Sequence, residues 1–225
     1  MLFLHEKFSD HGRIACQEKR VPVIVIANPK GGVGKSTLAT NLAGCLARQG
    51  HKVMLGDIDA QQSSRSWLAL RPAGLPAIAA WDLGPDRIAR PPRGVTHVVL
   101  DTPAGIAGEP LQRALRFADR LIVPLQPSMF DILATQAFLQ QLPPLRAHAK
   151  VGVVGMRVNA RTKAAEQLSH YVGQTGMPVL GYLRDTQNYV QLAALGATLW
   201  DAAPSRVERD IAQWQDLLRW IDDER

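Results

Sequence analysis

Hydrophobic residues along this chain form six short, continuous runs that are rich in β-branched side chains. The runs cover residues 21–27, 52–57, 96–101, 119–125, 151–158 and 177–183. Such a run is typical of a strand that is buried on both faces of a parallel sheet. Between most of the runs, apolar residues recur every three or four positions, which predicts amphipathic helices. These predicted helices cover residues 36–49, 109–118, 130–142, 162–173, 186–196 and 205–221.

Strands that alternate with helices predict the α/β class, with a mostly parallel, twisted sheet that is flanked by helices. The chain has 225 residues and contains no internal repeat, low-complexity tract or linker, which indicates one domain over residues 21–225. Residues 1–20 are polar and mixed in charge, and we interpret them as a short extension. Twenty residues are too few for a separate DNA-reading domain.

The last predicted helix has a pronounced apolar face and leaves two interpretations open. It could anchor the chain to a membrane or pack against the domain. Membrane-surface helices usually carry Lys and Arg on the polar face, whereas this one carries Asp210, Asp216 and Asp222, which favours packing. Ser205 and Glu208 have the spacing of an N-terminal capping box. The apolar face consists of Val207, Ile211, Trp214, Leu217, Leu218 and Ile221.

The amino-acid composition restricts the kind of partner and the redox environment that we expect, but it does not specify a function. Lys and Arg number 26 against 20 Asp and Glu, a net charge of +6 that permits an anionic partner without requiring one. The two cysteines, Cys16 and Cys45, are too few for a disulfide framework and indicate reduced thiols in a cytoplasmic protein. No apolar run reaches the roughly 18 residues that a membrane span needs, so we expect no membrane partner.

The segment NPKGGVGKST, residues 28–37, carries the clearest chemical signal. It follows a predicted strand and opens a predicted helix, which is the setting of a phosphate-binding loop, or P-loop. Glycines let backbone N–H groups approach phosphates closely, and the helix N-terminus adds partial positive charge. We expect Lys35 to reach the β- and γ-phosphates and the Ser36 hydroxyl to ligate Mg²⁺. The predicted nucleotide-binding residues are Gly31, Gly32, Val33, Gly34, Lys35, Ser36 and Thr37.

This loop departs from the general P-loop pattern at two positions. Pro29 replaces the usual first glycine, and a second lysine, Lys30, precedes the glycines. The sequence KGGVGKST resembles the deviant Walker A motif of the ParA/MinD group of P-loop ATPases. That resemblance implies a single-domain P-loop NTPase that binds ATP or ADP with Mg²⁺. It also implies that Lys30 reaches across an ATP-sandwiched homodimer to the partner's nucleotide, where it acts in catalysis with Lys35.

Two further segments match the same family in order. GDIDAQQSS, residues 56–64, resembles the family's switch I, although Ala60 stands where proline is usual. By this resemblance Asp57 holds a Mg²⁺-bound water and Asp59 positions the attacking water. HVVLDTPAG, residues 97–105, resembles a Walker B strand, so that Asp101 binds Mg²⁺.

Asn159 follows the strand predicted over residues 151–158. It is placed like the family's adenine-contacting asparagine, although an Asn at a strand end is as often a plain cap.

The chain resembles the short ParA-type partition proteins in length. This implies an ATP-driven dimer that binds DNA without sequence preference and hydrolyses ATP slowly. A ParB-like or other adaptor would stimulate hydrolysis, and the cycle would position plasmid, chromosome or protein cargo on the nucleoid in the cytoplasm. Arg161, Lys163 and Arg184 are the first candidates for DNA contact, and an ordinary solvated Arg-rich surface is the alternative.

Three other functions stay open at this point. One is an ATP-dependent biosynthetic synthetase of related fold, which needs a pocket for a small acid beside the γ-phosphate. Another is a scaffold that holds nucleotide without hydrolysing it. The third is a MinD-like positioning ATPase, although proteins of that kind end in a basic membrane helix and this chain ends in DDER.

Overall fold

The computed structural model describes residues 21–82, 91–144 and 148–223. The predicted extension, residues 1–20 with Cys16, lies outside the described residues. Within the described ranges the strands form one fully parallel sheet in the order β3-β2-β4-β1-β5-β6-β7. The strands are β1 (Val23–Ile26), β2 (Val53–Asp57), β3 (Ile78–Trp81), β4 (His97–Asp101), β5 (Arg120–Leu125), β6 (Lys150–Gly155) and β7 (Val179–Tyr182).

Helices cover both faces of this sheet. They are α1 (Lys35–Arg48), α2 (Ser63–Leu70), α3 (Gly108–Arg116), α4 (Met129–Gln141), α5 (Lys163–Gln174), α6 (Gln187–Ala193), α7 (Pro204–Ala212) and α8 (Gln215–Asp222), with a 3₁₀ helix over Leu199–Asp201. The predicted α/β architecture is therefore confirmed. No helix among the described residues is long and apolar enough to cross a membrane.

Strand β1 shows how the sequence builds two hydrophobic layers. Successive side chains of a strand point to opposite faces of the sheet. Val23 and Val25 pack with residues of α3, α4 and α5, while Ile24 and Ile26 pack with residues of α1 and of the helices that follow β7. All four residues are buried, which explains why the run is continuously apolar rather than alternating.

Strand β3 and helix α2 were not predicted, and both are only partly buried. Strand β3 lies at the sheet edge and buries Ile78 and Trp81 while exposing the alanines between them. Helix α2 buries only Ser64 and Trp67 of its eight residues. Because so few of their positions face the core, neither segment shows a strong apolar period.

The C-terminal segment corrects the prediction of one helix over residues 205–221. It forms two helices, α7 and α8, that are separated at Gln213 and Trp214. The Ser205–Glu208 capping box was wrong, because α7 begins at Pro204 and Ala203 provides no side-chain cap. A capping box does form, but between Thr198 and Asp201.

The predicted packing of this segment against the domain is confirmed. Trp214 is fully buried and its Nε1 donates a hydrogen bond to the Tyr189 hydroxyl at 3.0 Å. Val207, Leu217 and Ile221 are also buried in the same layer. Asp210 was expected on the polar face, yet it is fully buried.

Candidate nucleotide-binding site

The candidate site lies where three neighbouring strands end at the same level. Ile26 of β1 pairs with Asp101 of β4, and Asp101 pairs with Asp57 of β2. Strand β1 then leads directly into the P-loop, and α1 begins at Lys35. The parallel register therefore brings both aspartates beside the start of α1, as expected for loops at the carboxyl ends of parallel strands.

The backbone of the P-loop depends on its glycines. Gly34 has a φ of 99°, and a Cβ atom at this position would lie 2.7 Å from the Cε of Met156. Gly32 has a φ of 74°. Residues with side chains rarely adopt such angles, so the loop has its shape because these positions lack a Cβ.

Lys35 is largely buried within this loop. Its Nζ donates to the carbonyl oxygen of Lys30 at 2.8 Å, which holds the ammonium inside the curve of the loop. Burial lowers the pKa of Lys35, and the carboxylates of Asp101 and Asp59 oppose that change. An ammonium held in this way is ready to exchange a backbone carbonyl for a phosphate oxygen.

A cleft of about 560 Å³ opens in front of the P-loop. Both Lys35 and Asp59 line it, so the cleft combines a cation with a carboxylate. The lining residues are Gly31, Gly32, Gly34, Lys35, Ser36, Thr37, Asp59, Gln61, Ser63, Pro103, Ala104 and Arg157. Several predicted site residues are absent from this lining: Lys30, Val33, Asp57, Asp101 and Asn159.

Asp57 and Asp101 instead form a buried network just behind the cleft. We call Asp57, Asp59, Ser64 and Asp101 the acidic flank of the P-loop. The Asp57 carboxylate accepts hydrogen bonds from the backbone N–H groups of Asp59, Ser64 and Arg65. Since Ser64 and Arg65 lie in the first turn of α2, Asp57 acts as a distant cap for that helix. No pattern in the sequence predicts this role.

Asp101 is almost completely buried and only half satisfied. Its Oδ2 accepts a hydrogen bond of 2.6 Å from the Ser64 hydroxyl, while its Oδ1 has no partner among the described residues. Burial raises the pKa of Asp101 to about 6, and the Ser36 and Ser64 hydroxyls oppose that rise. A buried carboxylate oxygen without a donor is rare and costly, so this atom fits a site that receives a cation.

The other side of the P-loop is held by neutral groups, which we call the amide flank: Asn28, Gln126 and Thr135. The fully buried Asn28 side chain donates to the Pro124 carbonyl at 2.7 Å and to the Thr135 hydroxyl at 2.9 Å. Its Oδ1 accepts the Lys30 backbone N–H at 2.9 Å. Gln126 donates to the Gly32 carbonyl at 2.8 Å. These bonds tie the loop to β5 and α4.

The segment that follows Asp101 contacts both the P-loop and the end of β1. Gly105 donates its N–H to the Pro29 carbonyl at 2.7 Å, and the Thr102 hydroxyl donates to the Ile26 carbonyl at 2.9 Å. The segment therefore lies close enough to the P-loop to respond to what the loop binds.

The residues after β6 form a turn and contribute one side chain to the cleft. Asn159 is exposed, and its Oδ1 accepts the backbone N–H of Arg161 at 3.2 Å, which is the behaviour of a turn cap. Its contact with adenine stays a prediction. Arg157 lines the cleft instead, with a φ of 52° that is uncommon for a residue with a side chain. No sequence signal distinguishes this arginine from its neighbours.

The three arginine and lysine candidates for DNA contact are not equivalent. Arg161 and Lys163 are exposed. The Arg184 side chain pairs with buried Asp210, which raises the pKa of the guanidinium. Arg184 therefore holds α7 against the domain. The exposed Arg161 and Lys163 are the better candidates for DNA contact.

Comparison with known proteins agrees with this geometry. Residues 24–199 match the family model described as the CobQ/CobB/MinD/ParA nucleotide binding domain. The chain is 36% identical over 112 residues to the maintenance of carboxysome distribution protein A of Gloeobacter kilaueensis. That match covers 49% of this chain and 51% of the relative, so the chain aligns with about half the length of that protein.

Two further comparisons cover more of the chain. It is 28% identical over 186 residues to the chromosome-partitioning ATPase Soj of Thermus thermophilus, which spans 66% of this chain and 74% of that protein. The fold also resembles the MinC:MinD cell division protein complex of Aquifex aeolicus, with a TM-score of 0.70 and 19% identity, over 91% of this chain and 97% of that one. The family match covers most of the chain and includes both the P-loop and the acidic flank. The chain therefore belongs to the CobQ/CobB/MinD/ParA nucleotide-binding family.

Proposed function

We propose that this chain is an ATP-dependent molecular switch of the ParA type, which dimerises on ATP, binds DNA without sequence preference and positions a cargo. The observation that carries this proposal is the cleft, where Lys35 and the P-loop face Asp59. A phosphate chain needs the cation and the backbone N–H groups, and an attacking water needs the carboxylate. A cleft built in this way suits hydrolysis of a nucleoside triphosphate.

The catalytic roles follow from where each group lies. Lys35 neutralises charge on the β- and γ-phosphates, and Arg157 adds a second positive charge to the cleft lining. Asp59 accepts a hydrogen bond from a water molecule and orients it toward the γ-phosphate. One carboxylate without a second general base supports slow turnover, so the protein stays in its ATP state until a partner stimulates it.

Ser36, Asp101 and, through a water, Asp57 are the residues that would hold Mg²⁺. The orphaned Oδ1 of Asp101 supports this assignment, because carboxylate and hydroxyl oxygens are the ligands that Mg²⁺ prefers. When bound, the ion supplies electrostatic stabilisation of the β- and γ-phosphate oxygens. The network around Asp57 and Ser64 holds these oxygens in place beforehand.

The homodimer is supported by two features beside the P-loop. Lys30 stands at the start of the loop, and its backbone N–H is held by Asn28. In the proposed dimer its ammonium reaches the nucleotide of the second copy. Three apolar side chains at the start of α4 are exposed, and we call them the α4 patch: Met129, Phe130 and Leu133, with exposed fractions of 53%, 77% and 54%. Gln126 ties this region to Gly32. A second copy that covers the α4 patch would also close over the nucleotide.

DNA and an adaptor complete the proposed cycle. The net charge of +6 and the exposed cations Arg161 and Lys163 support binding to phosphate backbones. A ParB-like or other adaptor would trigger hydrolysis and release, as expected for a relative of a chromosome-partitioning ATPase. The protein would then act in the cytoplasm on the nucleoid, with a plasmid, a chromosome locus or a protein assembly as its cargo.

The proposal is tested by binding to a random-sequence DNA duplex with Mg-ATP or Mg-ADP across a salt series. We expect affinity with ATP alone, falling steeply as salt rises because phosphate contacts release counterions. Arg161→Ala with Lys163→Ala should weaken it, while Arg113→Ala serves as a control with the same charge change per site. Absence of ATP-dependent binding at low salt would overturn the DNA switch. Acceleration of ATP turnover by a small carboxylic acid would favour the synthetase instead.

A further inference from the structure

Ser64 connects the two buried aspartates of the acidic flank. It is fully buried in the first turn of α2 and uses both of its hydrogen-bonding groups. Its backbone N–H donates to Asp57 Oδ2 at 2.8 Å, and its hydroxyl donates to Asp101 Oδ2 at 2.6 Å. One residue therefore fixes a carboxylate from β2 and a carboxylate from β4.

The effect on Asp101 is asymmetric. Oδ2 is held by Ser64, while Oδ1 is buried and has no hydrogen-bond partner within the described ranges. A carboxylate rotates easily about its bond to Cβ, since the two-fold torsion at this position is broad. The hydrogen bond from Ser64 restricts this rotation and leaves Oδ1 as the carboxylate oxygen that is available to a cation. A preorganised oxygen of this kind binds a cation with less loss of conformational freedom.

We propose that Ser64 is a positioning residue for the divalent cation, which acts through Asp101 and joins α2 to the cation site. The inference rests on the proposed Mg²⁺ site, since it assigns a role toward that ion. It also couples the position of α2 to whether a cation occupies the site. Any shift of Asp101 on cation binding must move or break the Ser64 bond, and Ser64 belongs to the same first helical turn that Asp57 caps.

The neighbouring serines provide a contrast on the same helix. Ser63 is exposed and lines the cleft, so changing it would disturb nucleotide binding directly. Ser66 is exposed and lies outside the lining. Ser66→Ala is therefore a matched control for Ser64→Ala, because it removes the same hydroxyl from α2 without touching either aspartate.

The experiment measures binding of a fluorescent ATP analogue, MANT-ATP, by the full chain in two conditions. In EDTA, S64A and S66A should both bind the analogue within about twofold of the wild type, because the P-loop is intact. In a Mg²⁺ titration, S64A should need about tenfold more Mg²⁺ than the wild type to reach the half-maximal change in MANT-ATP binding. A loss of this size is typical when an outer-sphere partner of a metal ligand is removed. S66A should match the wild type.

Different outcomes test the role of Ser64 and the proposed Mg²⁺ site separately. A Mg²⁺ effect in the wild type that is unchanged in S64A would overturn the role of Ser64 alone. No Mg²⁺ effect in the wild type would overturn the cation site and the role of Ser64 together. Thermal melting in EDTA checks folding. If S64A melts below the assay temperature, S64C carries the same test, because a thiol keeps the shape but donates weakly. S64C should then shift the Mg²⁺ requirement in the same direction.

Discussion

The P-loop lies between two flanks that differ in chemistry. On the side of β2 and β4, the acidic flank buries two carboxylates that share one serine. On the side of β5 and α4, the amide flank uses Asn28, Gln126 and Thr135, which carry no charge. The amide flank hydrogen-bonds directly to the loop, whereas the acidic flank acts on Lys35 of the loop electrostatically. Of the two flanks, only the acidic one has an orphaned oxygen.

This difference in charge indicates that the two flanks have different roles, one in the chemistry of the site and one in the shape of the loop. Buried like charges repel, so two carboxylates side by side are stable only when a cation is close, and here Lys35 already lies near. Neutral amides have no such requirement and are satisfied by the protein itself. We infer that the acidic flank serves the cation and the water, while the amide flank maintains the loop and leads outward to the α4 patch.

The largest effect should come from Lys35→Ala. It removes the buried ammonium that lies beside the acidic flank. A charge-assisted hydrogen bond contributes about 1.5–3 kcal/mol, so the loss of two such bonds, to the β- and γ-phosphates, should lower ATP affinity by about 1,000-fold. Isothermal titration calorimetry with Mg-ATP measures this loss. Lys52→Ala, an exposed lysine at the far end of β2, is the control. Retained affinity in K35A would contradict the assignment of the P-loop.

The amide flank should instead show its effect in stability. Asn28→Ala leaves the Pro124 carbonyl, the Thr135 hydroxyl and the Lys30 N–H without their partner, which costs about 2–3 kcal/mol of unfolding free energy. Thr135→Val keeps the shape and removes one bond, so its cost should be about 1 kcal/mol. Urea unfolding compares the two. Equal costs would mean that Asn28 does not organise the loop.

These two flanks were predictable to different degrees. The motif at residues 28–37 and the aspartates at strand ends follow from spacing, because a parallel sheet brings the carboxyl ends of its strands together. The amide flank was not predicted: Asn28 opens the motif at residues 28–37, but its partner Thr135 is 107 positions away and no pattern in the sequence links the two. Ser64 was missed for a related reason: α2 has almost no apolar period, so nothing in the sequence marks its inward face.

Arg157 and the C-terminal segment also show that local sequence does not predict features that depend on tertiary structure. A φ of 52° places Arg157 on the cleft, and local sequence does not encode that angle for an arginine. The apolar period over residues 205–221 predicted the buried face of α7 and α8 correctly. Trp214 lies at the break between them and donates to the Tyr189 hydroxyl, a tertiary contact that the local pattern does not encode.

A smaller effect should come from the α4 patch, where the amide flank meets the surface. Phe130→Asp places a charge on the most exposed apolar side chain of this patch. It should weaken ATP-dependent self-association by about 10- to 50-fold while leaving Mg-ATP binding by the monomer intact, since central aromatic residues carry much of an interface's energy. Val190→Asp changes an equally apolar, exposed residue on α6 and is the control. Light scattering reads the association, and an unchanged dimer in F130D would remove the patch from the interface.

The smallest expected effect lies at the other end of β4, away from both flanks. Burial and the neighbouring His51 lower the pKa of His97 to about 4. The folded state therefore binds fewer protons than the unfolded state between about pH 4 and pH 6.5, and stability falls as pH decreases through that range. His97→Gln should lose less stability than the wild type between pH 7 and pH 5 in urea unfolding. Equal losses would show that His97 is not linked to folding.

In the proposed cycle, nucleotide state and self-association form one equilibrium at this cleft. Sedimentation velocity of Asp59→Ala tests it most directly, because loss of the water-positioning carboxylate keeps ATP intact during the run. With Mg-ATP the variant should sediment as a dimer of twice the 24.6 kDa chain mass, and with Mg-ADP as a monomer. A single species of the same mass in both nucleotides would contradict the account.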